Sequence, residues 1–271
     1  MNNRTKTVLG FALMGSLVGS GAHAAFITFD AASEITDNFT VQSSGGTLPT
    51  FNSGNGVGGV AGFADITNSG GIFFNDGIAK SLGETYRVSY LIKIGTPAND
   101  INDYRAGFIR STGSNFAGGG DSAYAYLRSD PGVATYTVEL FGTNSSLAET
   151  AQFSLASDAW YELRLDMVLD SDTQVDLVAS VFSRGANGTA APTLVAGSEV
   201  SVDDTVLGNG GFSNADIWGG FTVRNNTGSV GEGLDDFFAG LAADAPVIPE
   251  PGSMALLVLG TTVMAARRRR G

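Results

Sequence analysis

A period of two dominates the middle of the chain. From Thr85 to Ile94, the residues Tyr86, Val88, Tyr90, Ile92 and Ile94 fall on one side, and Arg87, Ser89 and Lys93 on the other. From Tyr161 to Asp170 the apolar set is Tyr161, Leu163, Leu165, Met167 and Leu169, against Glu162, Arg164, Asp166 and Asp170. Side chains alternate between the two faces of an extended strand, so this pattern predicts strands with one buried and one wet face. Asp170-Ser-Asp172-Thr has turn composition, and alternation resumes over Gln174–Ser183 with Val175, Leu177, Ala179 and Val181 on one face. The two segments predict an antiparallel hairpin. Shorter runs predict strands at 25–30, 71–75, 104–110, 123–128, 135–141, 199–206, 218–224 and 234–239. No stretch of ten or more residues between the two ends holds a 3.6-residue period. Many short strands joined by Gly, Asn, Ser and Asp turns predict an all-β fold: a two-sheet antiparallel β-sandwich of jelly-roll type.

Both ends break this pattern. At the start, Arg4 and Lys6 precede an apolar stretch, Val8 to Ser20, and then Ala22-His23-Ala24-Ala25. A basic head, an apolar core and an A-x-A site in that order predict a helical secretory signal peptide, cut between Ala24 and Ala25. At the other end, Pro249-Glu250-Pro251 is followed by an apolar run from Met254 to Ala266 and by Arg267, Arg268, Arg269 and Arg270. An apolar helix ahead of a positive plug stops in a membrane with its arginines on the cytoplasmic side. Its 13 apolar residues fall short of the ~20 that a stable span needs. A transient helical handle in the inner membrane, cut during sorting, fits better. The predicted organisation is a signal peptide at 1–24, a sandwich at 25–245 and a sorting segment at 246–271.

The C-terminal residues closely resemble the PEP-CTERM sorting signal of Gram-negative bacteria, in the triplet, the apolar helix and the terminal arginines. The resemblance covers about 247–271. It implies recognition of the triplet by exosortase, export with the secretion machinery as partner, and a final place at the cell surface or in the extracellular matrix. It implies nothing about the domain in front.

Composition changes the picture once the ends are set aside. The chain has 271 residues, 15 basic against 27 acidic, 38 Gly, one His and no Cys. The single His lies in the predicted signal. Without the two ends, nine basic and 26 acidic residues remain, a net charge of −17. A domain with neither Cys nor His has no disulfide, no thiolate or imidazole metal site and no Ser-His-Asp nucleophile. Its charge opposes nucleic acid and anionic membranes. Any metal must be held by oxygen, and any catalysis must rest on carboxylates.

A second resemblance lies in the domain itself. Asp158-Ala-Trp160 through Asp166, the strand Val175 to Phe182, and a late Asp235-Asp236-Phe237 resemble the paired central strands and closing strand of concanavalin A-like (laminin G-like) jelly rolls. A galactose-binding-like jelly roll is the competing fold. The expected function is an exported protein that binds a glycan or acts structurally in an exopolysaccharide layer, without catalysis. The alternative is a secreted carbohydrate-active enzyme on the same fold.

Four candidate chemistries follow. Sugar rings stack on exposed aromatic side chains, and Tyr124, Tyr126, Trp160 and Trp218 are available, with Tyr124, Tyr126 and Trp218 the candidate platform; the alternative for Trp160 and Trp218 is burial in the core between the sheets. A glycosidase needs two facing carboxylates, ~5 Å apart if retaining and ~6.5–9.5 Å if inverting. Glu162 and Asp166 come nearest, but Arg164 lies between them, and a salt-bridge ladder is the simpler reading. Calcium takes six to eight oxygens from loops. If the first and last strands pair, Asp30 converges with Asp235 and Asp236. Other candidates are Asp170, Asp172, Asp203, Asp204 and the Asp100-Ile-Asn102-Asp103 cluster. Finally, Gly54-Asn-Gly56-Val-Gly-Gly59 fits G-x-G-x-x-G, but no following helix is expected, so it reads as a loop.

Overall fold

The structure, a computed structural model, describes residues 24–246 apart from 42–46, 55, 60–61, 66–68, 96–101, 112–121, 130–134, 143–144, 209 and 226–232. The helical segments expected at the two ends lie outside the described residues. In chain order the strands are β1 (Ala25–Ile27), β2 (Phe39–Val41), β3 (Thr50–Ser53), β4 (Gly62–Asp65), β5 (Ser69–Phe74), β6 (Ile78–Ala79), β7 (Thr85–Ile94), β8 (Asn102–Ile109) and β9 (Ser122–Ser129). They continue with β10 (Thr135–Gly142), β11 (Ser145–Glu149), β12 (Phe153–Ser154), β13 (Ala159–Ser171), β14 (Gln174–Ser183), β15 (Thr193–Leu194), β16 (Val200–Val206), β17 (Asp216–Asn225) and β18 (Gly233–Leu241). One seven-residue helix, α1 (Ala32–Asn38), links β1 to β2. Among the described residues no helix is long and apolar enough to cross a membrane.

The strands form two antiparallel sheets. The first runs β15-β14-β13-β7-β18-β4-β3, with β1 also on β18 and β16 also on β14. The second runs β11-β10-β9-β8-β17-β5-β2, with β12 on β10 and β6 on β17. The last two long strands therefore enter the middle of both sheets. β17 joins β8 to β5, and β18 joins β7 to β4.

The alternation read from the sequence decides which side chains meet between the sheets. Val88, Tyr90 and Ile92 of β7 and Leu163, Leu165 and Met167 of β13 pack against Ala106 and Phe108 of β8 and Val138 of β10. The expected hairpin is present: β13 and β14 pair from Tyr161↔Ser183 to Leu169↔Val175, with a bulge before Ser171↔Gln174. Gly219 marks a point of close approach between the sheets. A Cβ there would lie 2.4 Å from the Cβ of Ala239 on β18. The 54–59 stretch forms a short 3-10 turn, Val57–Gly59, between β3 and β4, with a strand and not a helix following it.

Candidate functional site

Strand parity gives each sheet a second, outward face, and both outward faces carry the chemistry. In the second sheet, Tyr104, Ala106 and Phe108 point into the core, so Asp103, Arg105, Gly107 and Ile109 point out. By the same rule Ser122, Tyr124, Tyr126 and Arg128 of β9 point out, and so do Glu139 and Phe141 of β10 and Trp218 and Thr222 of β17. The register places Arg105 between Tyr126 and Thr222, Asp103 beside Arg128, and Ile109 between Ser122 and Trp218.

These outward residues form a small apolar cluster of their own. Phe73, Ile109, Tyr124 and Tyr126 are buried, with Phe141 and Trp218 partly buried against them. Tyr124 stacks on Phe141 with ring centroids 4.9 Å apart and planes 4° from parallel. The Arg105 guanidinium stands 4.6 Å from the Tyr126 centroid and 5.8 Å from that of Tyr124. Gly107 makes room for this arrangement, since a Cβ there would lie 2.4 Å from the Tyr124 Cβ. Burial pushes the Tyr126 hydroxyl up to about 12, aided by its bond to the Asp103 carboxylate and opposed by Arg105. Burial also raises Tyr124, against the pull of Arg105.

The expected bare platform therefore differs in one respect. Tyr124 and Tyr126 share the expected outward face, yet they are only 4% and 9% exposed. Their rings already face Phe141 and Arg105. Trp218 is the more accessible of the three. Asp103, just 2% exposed, and Arg105 are the residues the sequence reading missed as partners of the tyrosines.

The outward face of the first sheet is ionic. Arg87 holds Asp166 with two bonds, at 2.6 and 2.8 Å. Arg164 and Arg184 both hold Glu162, at 2.7 and 3.1 Å. Glu162 and Asp166 thus sit in the ion-pair ladder that their spacing suggested, and each is already matched by a guanidinium. Trp160 is 2% exposed, but it lies on this outward face, packed with Leu91 and Val57, and not between the sheets. Two loops cover it. The Gly58 N–H donates to the Asn187 carbonyl at 2.7 Å, and Gly188 lies against Val57 and Trp160.

β1 pairs with β18 through Ile27↔Phe237, which brings Asp30 into the field of Asp235 and Asp236. Asp235 accepts from the Val57 N–H at 2.8 Å and from the Asp236 N–H at 2.9 Å. Burial, opposed by the Val57 bond and aided by the Asp236 charge, pushes its carboxyl up to about 7. Burial likewise pushes Asp236 up to about 6, with Arg184 opposing and Asp30 aiding. Each Asp235 oxygen thus already accepts one backbone N–H. The one group of three acids with ligand atoms within 4.8 Å of one another, among the described residues, is Asp170, Asp176 and Asp204. Asp176 was not foreseen in that group. Asp172 is instead paired to Lys80 at 2.5 Å, and Asp203 is exposed. Asp100 lies outside the described residues.

Residues 247–270 match the PEP-CTERM protein-sorting motif. The match takes in Pro249, Glu250, Pro251 and Arg267 to Arg270, all outside the described residues. No curated protein matches the chain. Among solved structures, it is similar to a protein of unknown function, SO2946, from Shewanella oneidensis MR-1. That match has 13% identity, covers 89% of this chain and 99% of the other, and has a TM-score of 0.48. The legume lectin-like domain from Entamoeba histolytica is 9% identical, with 83% and 96% covered and a TM-score of 0.46. The Emp47p carbohydrate recognition domain is 14% identical, with 84% and 100% covered and a TM-score of 0.45. The sorting motif marks the chain for export. Ala22 lies outside the described residues, while Ala25, the first residue after the expected signal cut, opens β1 and pairs with Ala239.

Proposed function

We propose that this is an exported, exosortase-sorted surface or matrix protein whose domain, residues 25–245, is a concanavalin A-like jelly roll that binds a glycan without catalysis. The sorting motif supports the destination. The observation that carries the binding reading is the aromatic cluster outside the core, where Tyr124, Tyr126 and Trp218 stand with Arg105 and Asp103 on one sheet face. Rings with interleaved charged groups suit sugars, which offer apolar ring faces and hydroxyl edges together. The enzyme alternative is weakened because the nearest acid pair, Glu162 and Asp166, is held by three arginines. Calcium is not needed for this reading. An unchanged melting temperature with calcium and with a chelator removes it.

The full chain is tested on a polysaccharide array and in a Gram-negative host. Binding to at least one glycan, lost on Trp218→Ala, is expected. Glu250→Ala is expected to hold the chain, tail uncut, in the inner membrane. Equal distribution of the native chain and Glu250→Ala would overturn the sorting part. Degradation of a bound polysaccharide would favour the enzyme.

A further inference from the structure

The expected signal cut falls inside the fold. β1 begins at Ala25, the first residue after the cut, and Ala25 is 5% exposed and pairs with Ala239. No residue separates the Ala24–Ala25 bond from the strand. Ala24 is exposed, yet it lies against Gly240: a Cβ on that glycine would sit 2.7 Å from the Ala24 Cβ. The small side chain at this position is one of the two that an A-x-A cut requires. Phe29, two residues past β1, is fully buried in the core and fixes this end of the chain. An enzyme that reads an extended peptide needs its backbone free, and here β18 holds it.

The partner strand is the last to be made. Ala239 follows Ala25 by 214 residues, so at ~5–20 residues per second it is synthesised about 10–40 s later. Among the described residues β1 pairs with β18 alone. The Ala24–Ala25 bond is therefore open until β18 arrives and closed once it is in place. The other end is built differently. β18 stops at Leu241, and a 3-10 turn, Ala242–Asp244, follows. Pro249 is five residues past Asp244, up to about 18 Å of extended chain. The triplet thus has the slack that the signal cut lacks. Leu241 pairs with Tyr86 just beyond Ala239, so both segments leave from the same end of the first sheet.

We propose that the fold orders the two processing steps, an order that rests on the export reading above. The signal is removed before β1 docks on β18, whereas the Pro-Glu-Pro triplet stays open to its enzyme on the folded domain. Signal removal adds water across the Ala24–Ala25 bond, leaving a carboxylate on Ala24 and an ammonium group on Ala25. In the test, the folded full chain in detergent is treated with a bacterial signal peptidase, and mass spectrometry follows this cut. A second chain carries Gly-Ser-Gly-Ser-Gly between Ala25 and Phe26, which moves the bond five residues ahead of the strand; melting curves check that both are folded. The native chain should be cut at least about tenfold more slowly, since its bond is reached only when β1 opens. Equal rates overturn the order. Cutting of neither chain at this bond overturns the signal reading beneath it. Pulse-labelling of the native chain in a Gram-negative host does not depend on the insertion. There, a form without the signal but with the tail should precede the finished protein. A form that has lost its tail and kept its signal overturns the order, and a tail that is never processed overturns the sorting reading.

Discussion

Replacing Asp235 with asparagine should stabilise the protein, and by more as the pH rises. Asp235 is fully enclosed on β18, and its carboxyl is pushed from an ordinary 3.8 up to about 7. The unfolded chain ionises near the ordinary value. Between the two values the folded state therefore holds the extra proton, and stability falls as the pH rises through that window. Above pH 7 the full cost is present, about 4 kcal/mol for a gap of roughly three pH units. Asparagine carries no charge, so it avoids that cost. It has one acceptor oxygen, so it keeps one of the bonds from Val57 and Asp236 and loses the other, at about 1 kcal/mol. The two effects nearly cancel near pH 4, and by pH 8 the variant should lead by about 3 kcal/mol. Urea unfolding followed by tryptophan fluorescence at pH 4, 6 and 8 measures this. Asp236, pushed up to about 6, shares the window, so the difference between native chain and variant is the quantity to read. A variant less stable than the native chain at pH 8 would refute the reasoning. It would mean that the ionised carboxylate is stabilised in the folded state, as a bound cation would do.

Two further outcomes follow from the same packing. Glu162→Gln should cost about 3–5 kcal/mol, because it removes the carboxylate charge that Arg184, whose side chain is 2% exposed, bonds at 3.1 Å; chemical denaturation should also show that Glu162→Met with Arg184→Met recovers most of the loss. Gly107→Ala should cost at least about 1–3 kcal/mol, since its Cβ would lie 2.4 Å from both the Ala123 carbonyl and the Tyr124 Cβ; an unchanged melting temperature would show that β8 and β9 part freely there.

The long strands were legible because each has a full run of alternation. β7 keeps one apolar parity over its ten residues and β13 over the 11 from Ala159 to Leu169, and a one-residue slip would turn that apolar set to solvent. β2, β3, β4, β6, β11, β12 and β15 were missed, because two to five residues do not establish a period. β18 shows a different obstacle. Its pairing with β7 shifts between Asp235 and Phe238, and Asp236 has φ 48°. Parity changes at that bulge, so Leu234, Phe237 and Ala239 all reach the core although they do not alternate. The Asp-Asp-Phe triplet was noticed as a resemblance, but its local effect is this bulge, which turns both acids toward the Val57 turn and Arg184.

The candidate site was less legible, for a reason that parity alone does not address. Alternation tells which side chains leave the core, and Tyr124 and Tyr126 point outward as expected, whereas Trp160, expected between the sheets, points outward too. It does not tell whether the outward face is bare. Trp160 is covered because Gly58 and Gly188 let two loops, distant in sequence, close over it. Asp103 was read only as a calcium candidate and Arg105 was passed over, because charged residues at outward positions ordinarily meet water. A usable signal was nonetheless present in the chain. Asp103-x-Arg105 and Tyr124-x-Tyr126 each put both named residues on one face, opposite Tyr104 and Ala125, which are in the core. Two such segments, separated by a Gly-rich connection, pair as neighbours in an antiparallel sheet. The pairing sets Arg105 directly against Tyr126, where the guanidinium and the ring attract each other. The arginine is then held against two rings, Tyr126 at 4.6 Å and Tyr124 at 5.8 Å.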